Sequence, residues 1–289
     1  MDSDLESIMI KTARKLAAGK IDSPRLEARM LIAHVLGIET SEVRFCRANL
    51  DSVQQKQLKK MLKERLSHKP LDKIFGTRGF YKYDFEVSSD VLSPRPDTEV
   101  LVEAAVGYAG IHCVKNVLDL GVGSGCILLS ILADCPELTG VGVDVSRPAL
   151  EIARRNAHNL NVADRVKFVN KSWAEDNFHV NLGMTFDMIV SNPPYIPSAD
   201  IPRLDIEVRK YDPLRALDGG SDGLREYRRL ASEIPLLLNP DGIVFLEVGI
   251  EQAEEVARIF CAQGLKLLQI IKDLGDVERC VILKKISCF

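Results

Sequence analysis

Short apolar runs alternate with segments of helical spacing from about residue 113 onward, and this alternation limits the fold more than any other feature. Runs of this length, rich in β-branched residues, are typical of buried strands. Strands that alternate with helices form a mostly parallel sheet with helices on both faces. We therefore predict an α/β fold with a doubly wound sheet of seven strands. The predicted strands cover 116–120, 140–144, 166–169, 186–191, 243–248, about 265–272 and about 279–285.

Helices are predicted between these strands, over 126–133, 149–160, 221–238 and 252–263. The last two strands are separated only by the short turn Leu274-Gly275-Asp276. A parallel partner would need a much longer crossover connection, so we expect the final strand to be an antiparallel insertion.

The first 70 residues have a different pattern, that of a small helical bundle. After a first helix, a second is predicted to begin at Pro24, with Ser23 as its N-cap, and to stop at Gly37. A third helix is predicted over about 52–67. Beyond the bundle, residues 80–87 alternate aromatic or apolar with polar residues, as a strand does. We predict an N-terminal helical domain over 1–73, a β-hairpin linker over 74–98 and an α/β domain over 99–289.

Composition excludes several classes of protein. The 289 residues carry a net charge of −3, which gives no electrostatic footprint for tight, non-specific binding of nucleic acid. The acidic start, Met1–Asp4, lacks a secretory pattern, and no apolar stretch reaches membrane-spanning length. The seven cysteines are scattered without a CxxC pair. We expect a cytoplasmic protein with reduced thiols, no metal site and no membrane segment.

A glycine-rich loop follows the first strand of the α/β region. Gly121, Gly123 and Gly125 stand at the strand-to-helix junction, where glycine lets the backbone approach a ligand closely. Asp144 comes 19 residues after Gly125, at the end of the next strand, where a carboxylate can accept both hydroxyls of a ribose. The spacing is GxGxG rather than the dinucleotide GxGxxG, which favours a ribose cofactor without phosphate, such as S-adenosylmethionine. Asp119 is either a ligand for the ammonium group of that cofactor or a charge at a helix N-terminus.

The motif Asn192-Pro193-Pro194-Tyr195 directly follows the predicted strand 186–191. Two prolines fix two φ angles and stiffen the turn. The Asn192 side-chain oxygen and the Pro193 carbonyl are both acceptors, and they can take the two hydrogens of a planar NH2 group. Tyr195 can pack against that flat group. The motif alone leaves a glutamine amide and the amine of adenine equally open, and a plain proline turn is its structural alternative.

Together these residues resemble the class I methyltransferases and, more narrowly, the peptide chain release factor glutamine methyltransferases. The resemblance covers nearly the whole chain. It is carried by Ser93–Glu99, with the sequence SPRPDTE, the glycine loop with Asp119, the Asn-Pro-Pro-Tyr motif, and Gly219–Leu224. Ser93 and Val122 depart from the usual family pattern without removing a group that the chemistry needs.

The resemblance implies a Rossmann-like methyltransferase sheet and methyl transfer to the N5 amide nitrogen of the glutamine in the Gly-Gly-Gln loop of class I release factors. It implies S-adenosylmethionine as donor, S-adenosylhomocysteine as product, and Ser172 and Trp173 beside the adenine ring. Arg95 and Glu99 either shape the substrate pocket or form an interdomain ion pair. The helical domain would dock the protein substrate, and we expect a monomer that binds no nucleic acid directly.

Two other hypotheses belong to different classes. One is an adenine N6 methyltransferase acting on DNA or RNA, which would have to extrude its target base. The other is a non-catalytic cofactor-binding module that regulates a partner through residues 1–70. The negative net charge disfavours the first, and the retention of both the glycine loop and the acceptor motif disfavours the second.

Overall fold

A computed structural model describes residues 4–47 and 49–286, which form two compact units. The first comprises the chain up to Gly76 together with Asp205–Tyr211, and the second comprises Thr77–Leu204 together with the chain from Asp212 onward. Residues 1–3 of the acidic start, and Cys288, lie outside the described residues. None of the described helices combines the length and apolar character that a membrane crossing requires.

The first unit is helical, as predicted, and buries Leu16, Leu31 and Ile32 at its centre. Its second helix begins at Pro24 and ends before Gly37, whose φ of 67° completes a left-handed cap. The third helix begins with a capping box in which Asp51 and Gln54 each accept the backbone N–H of the other. Its helices are α1 (Leu5–Ala18), α2 (Pro24–Leu36), α3 (Ser52–Leu66), α4 (Leu71–Phe75) and α9 (Ile206–Tyr211).

The segment predicted as a hairpin linker does not contain an unbroken strand over 80–87, because the chain reverses direction inside that range. Two short strands, β1 (Thr77–Phe80) and β2 (Tyr83–Glu86), pair antiparallel across a tight turn. Tyr81 makes the turn with a left-handed φ of 56°, a conformation that the sequence does not signal with glycine, asparagine or proline.

Within the described residues, the second unit contains the predicted sheet of seven strands, in the order β5-β4-β3-β6-β7-β9-β8. The first five are parallel, and β9 inserts antiparallel between β7 and β8, which confirms the expected insertion. These strands are β3 (Asn116–Leu120), β4 (Thr139–Asp144), β5 (Val166–Asn170), β6 (Phe186–Ser191), β7 (Leu238–Glu247), β8 (Leu265–Lys272) and β9 (Glu278–Lys285).

The helices of the second unit cover both faces of this sheet. Consecutive residues of β6 enter different cores, with Ile189 on one side and Met188 and Val190 on the other. The predicted helix over 221–238 begins later, at Arg225, because Gly223 has a φ of 76°. The helices are α5 (Glu99–Ala109), which was not predicted, α6 (Cys126–Asp134), α7 (Arg147–Asn159), α8 (Phe178–Leu182), α10 (Arg225–Leu237) and α11 (Ala253–Cys261).

The strand order reverses between β3 and β6, because the chain moves outward from β3 through β4 to β5 and then returns to the other side of β3. Ligands of open α/β sheets bind outside the carboxyl ends of the strands at such a reversal. The glycine loop follows β3, Asp144 ends β4 and Asn192 follows β6. The fold therefore brings the sequence motifs to one edge of the sheet.

Candidate active site

The glycine loop adopts backbone conformations that side chains disfavour. Gly121, Gly123 and Gly125 have φ values of 86°, 54° and 86°. A Cβ atom on Gly125 would lie 2.6 Å from Leu129 Cδ1, so the loop also packs tightly against the first turn of α6. These glycines let the chain turn sharply from β3 into α6 at the edge of the sheet.

Asp144 ties this loop to the neighbouring strand. Its Oδ2 accepts the Gly123 N–H at 2.9 Å, and its Oδ1 accepts the Ser146 N–H at 2.8 Å. Burial raises the pKa of Asp144 above its usual value, although both hydrogen bonds act to lower it. Each carboxylate oxygen has a second lone pair, so the group can accept further hydrogen bonds from a ligand.

Asp119 lies near the end of β3, directly before the glycine loop. The side chain is fully buried, and neither oxygen accepts a well-formed hydrogen bond from a described residue. Burial raises the pKa of Asp119 to about 8. A buried carboxyl without a partner is costly, and such groups in native proteins are often completed by a ligand or water.

A cavity of about 580 Å³ opens at the carboxyl ends of β3, β4 and β6. Its wall includes predicted residues from five separate segments of the chain, which the fold brings together: Arg95, Gly121, Gly123, Asp144, Ser172, Trp173, Asn192 and Pro194. Other predicted residues of the described chain lie outside the wall: Glu99, Asp119, Gly125, Pro193 and Tyr195.

Trp173 closes one side of the cavity. A Cβ atom on Gly121 would lie only 3.4 Å from the Trp173 ring, so the glycine loop and the indole are neighbours. The indole N–H donates to Glu226 Oε2 at 2.8 Å. Burial acts to raise the pKa of Glu226, but hydrogen bonds from Arg225 and Trp173 outweigh it and hold that pKa below its usual value. A fixed carboxylate therefore orients the ring.

Asn192 directly follows β6 and lines the cavity, and a Cβ atom on Gly121 would lie 4.0 Å from its backbone carbonyl oxygen. Its Nδ2 donates to the Thr98 Oγ1 at 3.4 Å, and Thr98 also lines the cavity. This hydrogen bond uses the nitrogen of the amide and leaves Oδ1 available as an acceptor. The neighbouring Pro193 is buried, which fixes the turn that carries the amide.

Tyr195 is held by contacts at both its ring and its backbone. Its hydroxyl donates to Glu247 Oε1 at 3.3 Å, and its carbonyl accepts from Gln252 Nε2 at 3.0 Å. Burial is the main cause that raises the pKa of the Tyr195 phenol and also raises the pKa of Glu247 to about 7. The ring is thus neutral and fixed, although it does not line the cavity.

The two predicted site residues of the RPDTE segment, Arg95 and Glu99, have separate partners. Arg95 Nη2 lies 2.9 Å from Asp212 Oδ2 at the cavity wall. Glu99 Oε1 accepts the backbone N–H of Tyr81 at 2.9 Å, at the turn of the hairpin. The structure therefore brings Arg95 to the cavity and uses Glu99 to hold the β1–β2 turn.

Comparison with known proteins agrees with this geometry. Residues 8–76 match the model of the PrmC N-terminal domain, and residues 97–202 match that of the methyltransferase small domain. A release factor glutamine methyltransferase of Rhodospirillum rubrum is 42% identical, with 97% of this chain and 85% of that protein covered. One of Caulobacter vibrioides is 39% identical, with 93% and 92% covered.

The chain belongs to the release factor glutamine methyltransferase family. Among solved structures, the hMettl16 catalytic domain in complex with MAT2A 3'UTR hairpin 6 has a TM-score of 0.55 and 13% identity, over 82% of this chain and 83% of that one. At this identity the likeness shows the methyltransferase fold alone.

Sequence reasoning missed several residues of this release factor glutamine methyltransferase site. Thr98 lies inside the RPDTE segment, but only Arg95 and Glu99 of that segment were selected. Glu226 and Glu247 come from elements far along the chain, at the start of α10 and the end of β7. Glu247 stands among the apolar residues of the predicted strand 243–248, and this was an available signal, since charged residues are almost never fully buried without a partner.

Proposed function

We propose that this protein transfers a methyl group from S-adenosylmethionine to the N5 amide nitrogen of the glutamine in the Gly-Gly-Gln loop of class I release factors. The observation that carries the proposal is the amide of Asn192, held by Thr98 in the wall of a cavity that also contains the glycine loop and Asp144. The names of the relatives at 42% and 39% identity support the choice of glutamine over adenine.

The cavity suits a cofactor that carries a ribose and positive charge but no phosphate. The carboxylate of Asp144 lies in its wall and would repel a phosphate group, while the buried Asp119 stands two residues before Gly121 in the chain and outside the wall. S-adenosylmethionine supplies an electrophilic methyl group on a sulfonium when it is bound, and S-adenosylhomocysteine remains. We assign its binding to the following residues: Asp119, Gly121, Gly123, Gly125, Asp144, Ser172, Trp173 and Asn192.

The acceptor side of the site has to orient a weak nucleophile, since the lone pair of an amide nitrogen is delocalised into its carbonyl. The Asn192 Oδ1 and the Pro193 carbonyl accept the two N–H hydrogens and hold the nitrogen in line with the methyl donor. Acceptors in this position also stabilise positive charge as it develops on the nitrogen. Pro194 and Tyr195 confine the planar group, and the proton leaves after transfer.

The protein substrate requires more surface than the cavity. We propose that the helical first unit docks the release factor and that Arg95, beside its partner Asp212, contributes to the substrate end of the cavity. The contact of Glu99 with the Tyr81 backbone supports a positioning role for this residue rather than contact with substrate. We expect a cytoplasmic monomer that binds no nucleic acid directly.

Labelled methyl incorporation tests the proposed function. The protein is incubated with S-adenosylmethionine labelled in the methyl group and with a bacterial class I release factor, and label is counted in the protein fraction. We expect incorporation into the wild-type release factor and none when the loop glutamine is replaced by glutamate, which has the same shape but no amide nitrogen. Label that instead enters nucleic acid would support the adenine alternative.

A further inference from the structure

Arg225, the first residue of α10, binds two different parts of the cavity wall. Its Nε donates to Glu226 Oε1 at 2.8 Å, and its Nη2 donates to the Asp218 backbone carbonyl at 2.7 Å. All three residues line the cavity. A guanidinium carries its donors in a rigid fork, so the two acceptors are held at a fixed spacing.

The first of these bonds leads to the indole of Trp173. Glu226 is 6% exposed, and its second oxygen accepts the Trp173 N–H at 2.8 Å. Arg229 Nη1 also donates to Glu226 Oε1, at 2.9 Å. Rotation of this carboxylate would break a bond to an arginine or to the indole. Since the indole has a single N–H donor, the clamped carboxylate sets the orientation of the ring in the cavity wall.

The second bond leads to the turn that carries the Asn-Pro-Pro-Tyr motif. Ile196 directly follows Tyr195 and pairs with a strip of backbone far along the chain. It forms an isolated β-bridge with Asp218, and its carbonyl accepts the Gly219 N–H at 2.8 Å. The Arg225 backbone N–H donates to the Gly219 carbonyl at 2.9 Å. Arg225 therefore holds this strip with both its side chain and its main chain.

Two consecutive glycines leave the space that this arrangement requires. A Cβ atom on Gly219 would lie 2.8 Å from the Tyr195 carbonyl carbon, and one on Gly220 would lie 2.9 Å from Arg225 Cβ. Gly220 also has a φ of 89°, which side chains disfavour. The glycine pair thus allows the Tyr195 backbone and the Arg225 side chain to pack closely against the same turn.

We propose that Arg225 is a positioning residue that joins the two halves of the site. Through Glu226 it fixes the indole of Trp173 on the cofactor side. Through the Asp218 backbone it fixes the Asn-Pro-Pro-Tyr turn on the acceptor side. This role rests on the proposed function, because the turn affects turnover only if the motif orients the substrate amide.

Arg225→Gln removes the guanidinium and breaks both connections. We expect the dissociation constant of S-adenosylhomocysteine to rise about 3- to 10-fold, the loss of one net hydrogen bond. At saturating S-adenosylmethionine we expect kcat to fall about 10- to 100-fold, as for a misplaced reacting group. Arg225→Lys should show both losses, since an ammonium keeps the charge but lacks the fork, and it tests the role if Arg225→Gln folds poorly.

Arg228→Lys is the matched control for these variants. Arg228 lies on the same helix, its Nη2 donates to Asp222 Oδ2 at 2.6 Å, and it is not part of the cavity wall. The control should keep the wild-type affinity and the wild-type kcat.

A double-mutant cycle with Trp173→Phe separates the two connections. Phenylalanine keeps an aromatic ring but lacks the N–H that Glu226 accepts. In this background Arg225→Gln should weaken cofactor binding by little more, because both changes break the same connection. It should still lower kcat about as much as in the wild type, because the bond to Asp218 does not involve the indole. A merely structural role would weaken both properties in both backgrounds.

The readouts are the dissociation constant of S-adenosylhomocysteine by calorimetry, and kcat with a bacterial class I release factor at saturating S-adenosylmethionine. Additive losses of affinity in the cycle, a wild-type kcat for Arg225→Gln, or wild-type behaviour of Arg225→Lys would overturn the positioning role. A wild-type protein and an Arg228→Lys control that bind S-adenosylhomocysteine but leave the Gly-Gly-Gln glutamine unlabelled would instead overturn the proposed function, and the acceptor half of the role of Arg225 with it.

Discussion

Asn192 carries the functional group that the proposed chemistry needs, but the orientation of that group depends on a neighbouring side chain. Its amide has an oxygen and a nitrogen of similar size, and only the oxygen can accept an N–H from a substrate amide. The contact from Nδ2 to Thr98 selects the orientation in which the oxygen is free. The residue type could be chosen from sequence, but the partner that orients it could not, since Thr98 is 94 positions away.

At this scale we predict that Asn192→Ala separates binding from turnover. Removal of one oriented acceptor should lower kcat by about 100-fold or more, while the dissociation constant of the cofactor changes little. Rapid-quench kinetics with a release factor and calorimetry with S-adenosylhomocysteine measure the two effects. Asn159→Ala, an exposed site at the end of α7, serves as the control. Lost cofactor affinity with intact turnover would show that Asn192 has a different role.

The opposite pattern is expected for Asp144→Ala. This carboxylate is at the end of β4, where it orders Gly123 and Ser146 and lines the cavity. Its removal should weaken cofactor binding by about 1.5–3 kcal/mol, as expected for a lost hydrogen bond to a charged group. Turnover at saturating cofactor should change much less. Calorimetry against the exposed control Asp164→Ala tests this, and unchanged affinity would contradict it.

At the scale of elements, the Asn-Pro-Pro-Tyr turn is held by a second turn far along the chain. Gly219 N–H donates to the Ile196 carbonyl at 2.8 Å, and a Cβ atom on Gly223 would lie 2.4 Å from the Tyr195 carbonyl oxygen. The two turns therefore pack backbone against backbone. The long loop after Tyr195 ends in glycine because no side chain fits there.

Gly223→Ala is accordingly predicted to displace Tyr195. The new methyl group meets backbone atoms that cannot rotate away, and the φ of 76° is unfavourable for alanine. We expect a clearly lower melting temperature and a loss of methyl transfer. Gly107→Ala is the matched control, since its Cβ meets no described atom within 4 Å and alanine favours a helix by about 0.5–1 kcal/mol. Equal behaviour of the two variants would contradict the packing described here.

Sequence patterns predicted elements well where burial is strong and poorly where the chain turns without a signal. The strands 116–120 and 186–191 have the predicted bounds, since both faces of each strand are largely buried. A hairpin was predicted over 74–98, but its turn at Tyr81 was not located, since no glycine, asparagine or proline marks it, and the strand pattern over 80–87 is divided between two strands. The helix Glu99–Ala109 was missed, although its first residue was selected as a site residue.

At the scale of the whole molecule, the motifs of the site were predictable and their connections were not. The glycine loop, Asp144 and Asn192 meet because parallel strands end at one edge. Glu247 and Glu226 join the site only through the order of the strands and the packing of α10. Such contacts depend on tertiary structure, which spacing along the chain does not encode.

The buried acids also predict how stability depends on pH. Burial raises the pKa of Asp119 from an unfolded value of about 4 to about 8. The folded protein thus holds a proton that the unfolded chain releases, so this stabilisation is complete below pH 4 and is lost as pH rises through 8. Asp119→Asn removes that dependence, which amounts to at most about 1.4 kcal/mol for each pH unit.

Thermal unfolding of the cofactor-free protein between pH 5 and 8 measures this difference. The melting temperature of the wild type should fall more steeply with rising pH than that of Asp119→Asn, and the exposed control Asp164→Asn should follow the wild type. Parallel curves for the wild type and Asp119→Asn would show that Asp119 is ionised in the folded protein at neutral pH.

The central claim is that the acceptor is an amide nitrogen of a protein glutamine. Its most direct measurement is tandem mass spectrometry of a bacterial class I release factor after incubation with the wild-type protein and S-adenosylmethionine that carries a deuterated methyl group. We predict that the label lies on the side-chain nitrogen of the Gly-Gly-Gln glutamine and is absent after incubation with Asn192→Ala. A label on any other residue, or an unlabelled glutamine with active wild-type protein, would contradict this claim.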